Sequence, residues 1–250
     1  MKKHALGLLI LIGLTLTTQA QQAVTLKIKP SLNKPSIVKM EVKTDVDGPQ
    51  SVLMNMSMKM EMTPKSIEGE KITIETLTKT IKAEINADMM TLNYDSEKES
   101  TDEMGKMLSE QFAPILDKTI TTVMTNSGKV LDVSFPTELG QSIDKNSFNN
   151  MATALPDHPV KPGDTWDSEI EKGELVPKIT TKSTFKEISD SGYVIDIAGN
   201  VFGDDDSQIG TITGNYILDK TTNLTKSYIL TTRLEVQGTK VTTEVTMNTL

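Results

Sequence analysis

The 250-residue chain has no cysteine. Disulfides are therefore excluded, as is any nucleophile or metal site that begins with a thiolate. Lipid attachment through a lipobox cysteine is excluded too. Only two histidines occur, and His158 is the only one beyond the N-terminal leader. With that stock, the usual zinc sites and histidine triads lack their parts. Aromatics make up 4% of the chain, with Trp166 the single tryptophan, so an aromatic-walled sugar cleft is hard to build. A pair of carboxylates could in principle hydrolyse a glycoside, but it would lack that cleft. No Gly-x-Ser-x-Gly elbow, His-Glu-x-x-His helix or phosphate-binding loop is present. The chain is accordingly read as non-catalytic, with no catalytic residue, no cofactor and no metal site assigned.

Long apolar runs are also missing, apart from one at the N-terminus. Met1-Lys2-Lys3-His4 is basic, Ala5–Leu16 is almost wholly apolar, and Thr17-Thr18-Gln19-Ala20 is small and polar. This is the layout of a secretory signal peptide spanning 1–20, cut after Ala20. The run is shorter than the ~20 residues a spanning helix needs, so no stable membrane anchor is expected. The expected location is extracytoplasmic, either periplasmic or secreted. Loss of Lys2 and Lys3 leaves 24 basic against 34 acidic residues, a net charge of −10. A surface of that sign repels phosphate backbones, so nucleic acid is not an expected partner.

What is abundant is β-pattern. In Leu224–Val236 the even positions carry Leu224, Tyr228, Leu230, Leu234 and Val236, while polar residues dominate the odd ones. This period of two predicts one buried and one wet face. Gln237-Gly238 turns the chain, and Val241, Val245 and Met247 resume the pattern. Asp190-Ser191-Gly192 and Gly203–Asp206 read as hairpin turns. Further strands are predicted at Val24–Lys29, Ser36–Asp45, Gln50–Met62, Lys71–Ala87 and Met89–Tyr94. A hairpin of Thr119–Thr125 with Lys129–Phe135 turns at Asn126-Ser127-Gly128.

One helix interrupts the strands. Ser100 followed by Glu103 is a capping-box pattern, and Met104, Leu108, Phe112 and Ile115 share a face. Pro114 should end it or kink it. A weaker helical stretch covers Ser147–Ala154. The expected fold is mainly β with minor α: a curved antiparallel sheet or half-barrel covered by one or two helices. Residues 21–250 are read as a single β-rich domain. The proline-rich turn Leu155–Gly163 is its one candidate boundary, dividing 21–154 from 155–250.

Several segments together carry a resemblance. They are the Met-alternating strand, Leu92-Asn93-Tyr94-Asp95-Ser96, the apolar helix, the hairpin on Gly128-Lys129-Val130, and Leu155-Pro156…Gly163-Asp164-Thr165-Trp166. Over essentially the whole mature chain this resembles an uncharacterised family of secreted proteins from Gram-negative bacteria, a domain of unknown function. The resemblance implies export and supplies no catalytic residues. Many relatives have the lipobox cysteine that this chain lacks, so tethering does not carry over. In architecture alone, the layout is similar to the half-barrels of periplasmic lipoprotein carriers.

The most unusual local feature is Met54-Asn55-Met56-Ser57-Met58-Lys59-Met60-Glu61-Met62. On a strand, Met54, Met56, Met58, Met60 and Met62 point to one face over about 27 Å. Three readings stand. The stripe is a buried strand face filled by adaptable thioethers; or it lines a groove for an apolar ligand; or it binds Cu(I). Same-face neighbours on one strand lie ~6.7 Å apart, which counts against copper. The acidic Gly203–Gln208 stretch lacks the alternating ligands and distant glutamate of a calcium loop and reads as a hairpin tip. His158, between Asp157 and Pro159, has no marked nucleophile near it. Trp166 reads as an anchor of its turn in the core. The function expected is a non-catalytic exported protein that binds or carries an apolar ligand, such as a lipid or acyl chain, with the five methionines as ligand-binding residues. An envelope protein-interaction module is the alternative, and a Cu(I) or methionine-redox protein the third reading. The expected partner is an apolar small molecule or an envelope protein.

Overall fold

Residues 23–88, 90–100, 102–136, 155–172 and 177–250 are described by the structure, a computed structural model. The expected signal peptide and the helical stretch at Ser147–Ala154 lie outside the described residues. The N-terminal wing holds β1 (Ser36–Asp47), β2 (Val52–Glu68), β3 (Lys71–Ala87), β4 (Met90–Asp95), α1 (Glu103–Phe112), β5 (Thr119–Thr125) and β6 (Val130–Ser134). The C-terminal wing holds β7 (Thr165–Ile170), β8 (Lys178–Ser189), β9 (Gly192–Phe202), β10 (Gln208–Leu218), β11 (Thr225–Val236) and β12 (Thr239–Thr249). All twelve strands form one antiparallel, unclosed sheet in the order β6-β5-β3-β2-β1-β12-β11-β10-β9-β8-β7, with β4 also on β3. The wings meet at the centre, where β1 pairs with β12 from Val38↔Thr249 to Asp47↔Lys240.

The long strand β3 serves two partners on one edge. Its first half pairs β5 and its second half pairs β4. Between them the backbone is satisfied by the excursion through α1: Asp117 donates to the Thr78 carbonyl, Ser96 donates to the Ile81 carbonyl, and Ile81 N–H donates to Ser96 Oγ, each at 2.9 Å. A register shift falls here, between the pairs Lys59↔Thr80 and Met60↔Thr78. It switches the inward-facing parity of β3 from Ile72, Ile74 and Thr78 to Ile81, Ala83 and Ile85, so one face stays uncharged along the whole strand. Pro64 lies at a second shift on β2, where a missing donor is tolerated.

α1 follows the apolar spacing read from sequence. Its N-cap is Asp102, whose carboxylate accepts from Gly105 N–H at 2.7 Å, rather than Ser100. Asp102 lies directly before Glu103 and reaches the free amides of the first turn, which Ser100 does not cap. The helix ends at Phe112, before Pro114. Leu108 and Phe112 pack against Ile81, Ala83 and Tyr94, with the Tyr94 and Phe112 rings 5.2 Å apart.

Val24–Lys29, predicted as a strand, is a strap instead. Val24 makes a two-bond bridge with Val160. Ile28 N–H donates to Asn126 in the β5–β6 turn, and Lys29 N–H donates to Thr222 in the β10–β11 turn, both at 2.7 Å. Asn223 Nδ2 donates to the Lys27 carbonyl at 2.8 Å. Adjacent residues thus hold turns from strands five sheet positions apart, about 24 Å along a flat sheet at 4.7–4.9 Å per strand. The sheet must therefore curl around the strap. Leu26, Ile28, Leu155 and Val160 plug that end and join Ile72 and Ile74 of one wing to Phe185, Ile195, Tyr216 and Leu218 of the other. Trp166 packs in the same cluster, as its core-anchor reading requires.

Glycines on β9 and β10 fit the curl. A Cβ at Gly214 would sit 2.0 Å from the Ile229 carbonyl oxygen on β11, and one at Gly199 2.1 Å from that of Thr180 on β8. Backbone cannot yield as a side-chain tip does. Gly214→Ala is expected to destabilise the protein by about 2–3 kcal/mol, read as a lower urea midpoint. A wild-type midpoint would mean that the strand can shift there.

Candidate functional site

Residues paired across neighbouring antiparallel strands face the same side, so the registers define the sheet's two faces. One inward rung runs Ala83, Met56, Val42, Val245, Leu230, Gly214, Ile197, Ser183, Trp166. The next rung toward the plug contains Ile81, Met58, Met40, Met247, Tyr228, Tyr216, Ile195 and Phe185. Toward the other end lie Ile85, Met54, Thr44, Thr243, Thr232, Ile212, Gly199, Thr181 and Ser168. No Asp, Glu, Lys, Arg or His stands on these rungs. The charges occupy the opposite registers, among them Lys39, Glu41, Lys43, Lys82, Glu84 and Arg233.

Burial varies along this uncharged face. At the plugged end Ile72, Phe185 and Ile195 are fully enclosed. Beyond the plug and α1, Val42, Val46, Met54, Ile85, Ile212, Leu230, Leu234, Val241 and Val245 are only half-buried. Apolar side chains left in that state retain part of the stabilisation that full enclosure would add, about 1.5–3 kcal/mol each.

The five sequence-singled methionines lie on β2, all on inward registers and all half-buried. Met62 packs on the plug cluster, and Met56 and Met58 on the α1 cluster. Cross-strand neighbours were invisible to the sequence pattern. Met58, Met40 and Met247 share one rung on three adjacent strands, and Tyr228 OH donates to Met40 Sδ at 3.4 Å. Two more residues that the sequence reading passed over are Tyr216 and Ser183. Burial pushes the Tyr216 phenol up to about 12, with the nearby Ser183 hydroxyl opposing in part. Tyr228 is raised as well, by burial.

A recess of about 770 Å³ beside the start of α1 is bordered by residues of both registers: Val42, Met56 and Ala83 of the inward rung, and Glu41, Lys82 and Asp95 of the outward registers. Lys82 bridges Asp95 at 3.3 Å and Glu97 at 2.7 Å. The hydrogen bond to Glu97 is the main cause raising Lys82, and the Glu97 amide is the main cause lowering Asp95. Of the carboxylates there, Glu41 pairs with Lys39 at 2.8 Å, Asp95 also with Lys98 at 3.4 Å, and Glu84 accepts from Asn86 Nδ2 at 2.9 Å. His158 is exposed and contacts Asp157 at 3.0 Å, holding that carboxyl below its usual range. The Gly203–Gln208 turn closes on itself, with Asp205 accepting from Ser207 N–H and Oγ at 3.1 and 2.6 Å. Among the described residues, no three His, Asp or Glu side chains gather in a metal-binding group. No helix among them is long and apolar enough to cross a membrane.

Fold and site together define an unclosed, curled antiparallel sheet with an uncharged concave face, plugged at one end and flanked by one helix. The profile of a family of unknown function (DUF6263) matches residues 134–242, which is most of the C-terminal wing. No curated protein sequence matches the chain. Among solved structures, one describing lipid–protein interactions in lipovitellin is similar over 88% of this chain, with 8% identity and a TM-score of 0.56. The match takes in 25% of that chain, so this protein spans about a quarter of lipovitellin's length. At that identity the likeness is one of fold. A domain assigned to outer membrane lipoprotein sorting in Vibrio parahaemolyticus is similar over 86% of this chain and 83% of its own, with 10% identity and a TM-score of 0.30. MucB in complex with MucA is similar over 87% and 89%, with 8% identity and a TM-score of 0.17. Scores this low add no argument about this chain.

Proposed function

We propose that this protein is a non-catalytic, exported binder or carrier of an apolar ligand, a lipid or acyl chain, held on the concave face of its sheet. The observation that carries this reading is the segregation of charge. The inward rungs spanning both wings contain no charged residue, yet their apolar side chains beyond the plug remain half-buried. A face meant for water would carry charges, and a finished core would be closed. Met54, Met56, Met58, Met60 and Met62 form part of the wall, where flexible thioethers conform to varied acyl shapes. The lipovitellin likeness supports this reading, since that structure of similar fold describes lipid–protein interactions.

The experiment is native mass spectrometry of protein purified from its own host, followed by titration of the delipidated protein with a pyrene-labelled alkane and a pyrene-labelled acyl glycerol. A co-purifying acyl lipid, and saturable binding of both probes, is the expected result. Delipidated, folded protein that binds neither probe overturns the reading.

A further inference from the structure

Three inward glycines mark the C-terminal wing: Gly214 and Gly210 on β10, and Gly199 on β9 between them in level. Gly199 lies beside Thr181 on β8 and Ser168 on β7, so at that level three adjacent strands form a strip of the concave face with only small side chains, bounded by Ile212 on β10. The strip starts where the plug ends. At that boundary stand two hydroxyls, both on inward registers: Ser183 on β8, 0% exposed, and Tyr216 on β10, 8% exposed. The Ser183 hydroxyl lies near enough to act on the Tyr216 phenol, yet neither Ser183 Oγ nor Tyr216 OH has a partner at normal hydrogen-bond geometry among the described residues. An apolar interior rarely keeps two hydroxyls in that condition, because removing a donor from water without replacing its partner is costly.

We infer that Tyr216 and Ser183 receive the carbonyl oxygen of an uncharged acyl lipid, an ester or amide, whose chain lies along the glycine-floored strip. This rests on the reading of the concave face as a lipid site and names the ligand's polar group. One carbonyl oxygen has two lone pairs and satisfies both hydroxyls at once. A free carboxylate would bring a charge onto a face whose rungs hold no cation. A phenol held near 12 stays a donor at any physiological pH.

The test compares three pyrene probes on the delipidated full-length protein: an acyl glycerol, the corresponding fatty acid at pH 8, and the alkane with no polar group. Wild type should bind the ester at least about tenfold more tightly than the alkane, the net worth of two neutral hydrogen bonds at the low end of their range, and more tightly than the acid. Tyr216→Phe and Ser183→Ala should each lose most of that ester preference while binding the alkane as wild type does. Ligand-free Tyr216→Phe should melt no lower than wild type, because it removes an unpaired hydroxyl rather than a structural bond. Unchanged ester affinity in both variants, as a hydroxyl pair bridged only by buried water predicts, overturns the inference and leaves the lipid site standing. So does acid binding equal to ester binding, or unfolding of both variants. If neither ester nor alkane binds wild type, the lipid reading and this inference fall together.

Discussion

Phe185→Ala lowers the stability of the protein by about 3–5 kcal/mol. Phe185 is the largest fully enclosed side chain, and it stands where the curl of the sheet is locked. Its ring meets Tyr193 edge-on at 5.8 Å and belongs to the cluster that joins plug and both wings. The surroundings have little freedom to collapse into the vacated space. The backbone of Phe185 is fixed to the Lys161–Asp164 turn, with Gly163 N–H donating to its carbonyl and its own N–H donating to Asp164, at 2.7 and 2.9 Å. A cavity that cannot close carries both the transfer loss and the void. No disulfide shares the burden, so the loss should appear in full as a lower urea midpoint with an unchanged slope. Leu131→Ala, on an exposed position of the edge strand β6, should stay within about 0.5 kcal/mol of wild type. Equal effects at the two sites would show that the plug cluster is not what holds the wings together.

The sequence displays local pattern well and lateral assembly poorly, and the reason is physical. β11 and β12 were legible because Leu224 to Met247 alternates strictly enough to mark one face, and because Gln237 and Gly238 supply the positive φ of 51° and 79° that a two-residue hairpin turn needs. The same rule misread Val24–Lys29. Val24, Leu26 and Ile28 alternate because alternate side chains enter the plug, but periodicity reports burial and not hydrogen-bond partners. Those partners turned out to be turns from opposite wings. On β3 the bulge between Thr78 and Thr80 breaks the parity of Ile74 and Ile81, so no single phase fits the strand. The Met54–Met62 stripe could be placed on one face, but its neighbours Met40 and Met247 lie on β1 and β12, and no spacing rule connects them. Tyr216 and Ser183 were unreadable for the same reason: each is an ordinary strand residue until the sheet order β10-β9-β8 brings them to one floor.

A single charge at the centre of the concave face should weaken ligand binding about a hundredfold without unfolding the chain. Val245 on β12 is the position to use. It lies on an inward register between Val42 of β1 and Leu230 of β11, at the seam of the wings, and is half-buried. Val245→Asp leaves the carboxylate enough water to be tolerated while the face is empty. An acyl chain laid over it would strip that water, and no inward lysine or arginine is present on these rungs to compensate. The aspartate is too short to reach past the rim, as a lysine could. The loss on binding should be on the order of 3 kcal/mol, about a hundredfold in affinity. Ile229→Asp is the control: it stands next to Leu230 on the outward register, 48% exposed, where a new charge joins the charged side of the sheet. That variant should bind the labelled acyl glycerol as wild type does. Circular dichroism would establish that both variants remain folded. If folded Val245→Asp retains wild-type affinity, the ligand does not lie on the concave face. If Ile229→Asp is the variant that loses binding, the outward surface is the site, and the uncharged interior is the core of an unusually open sheet.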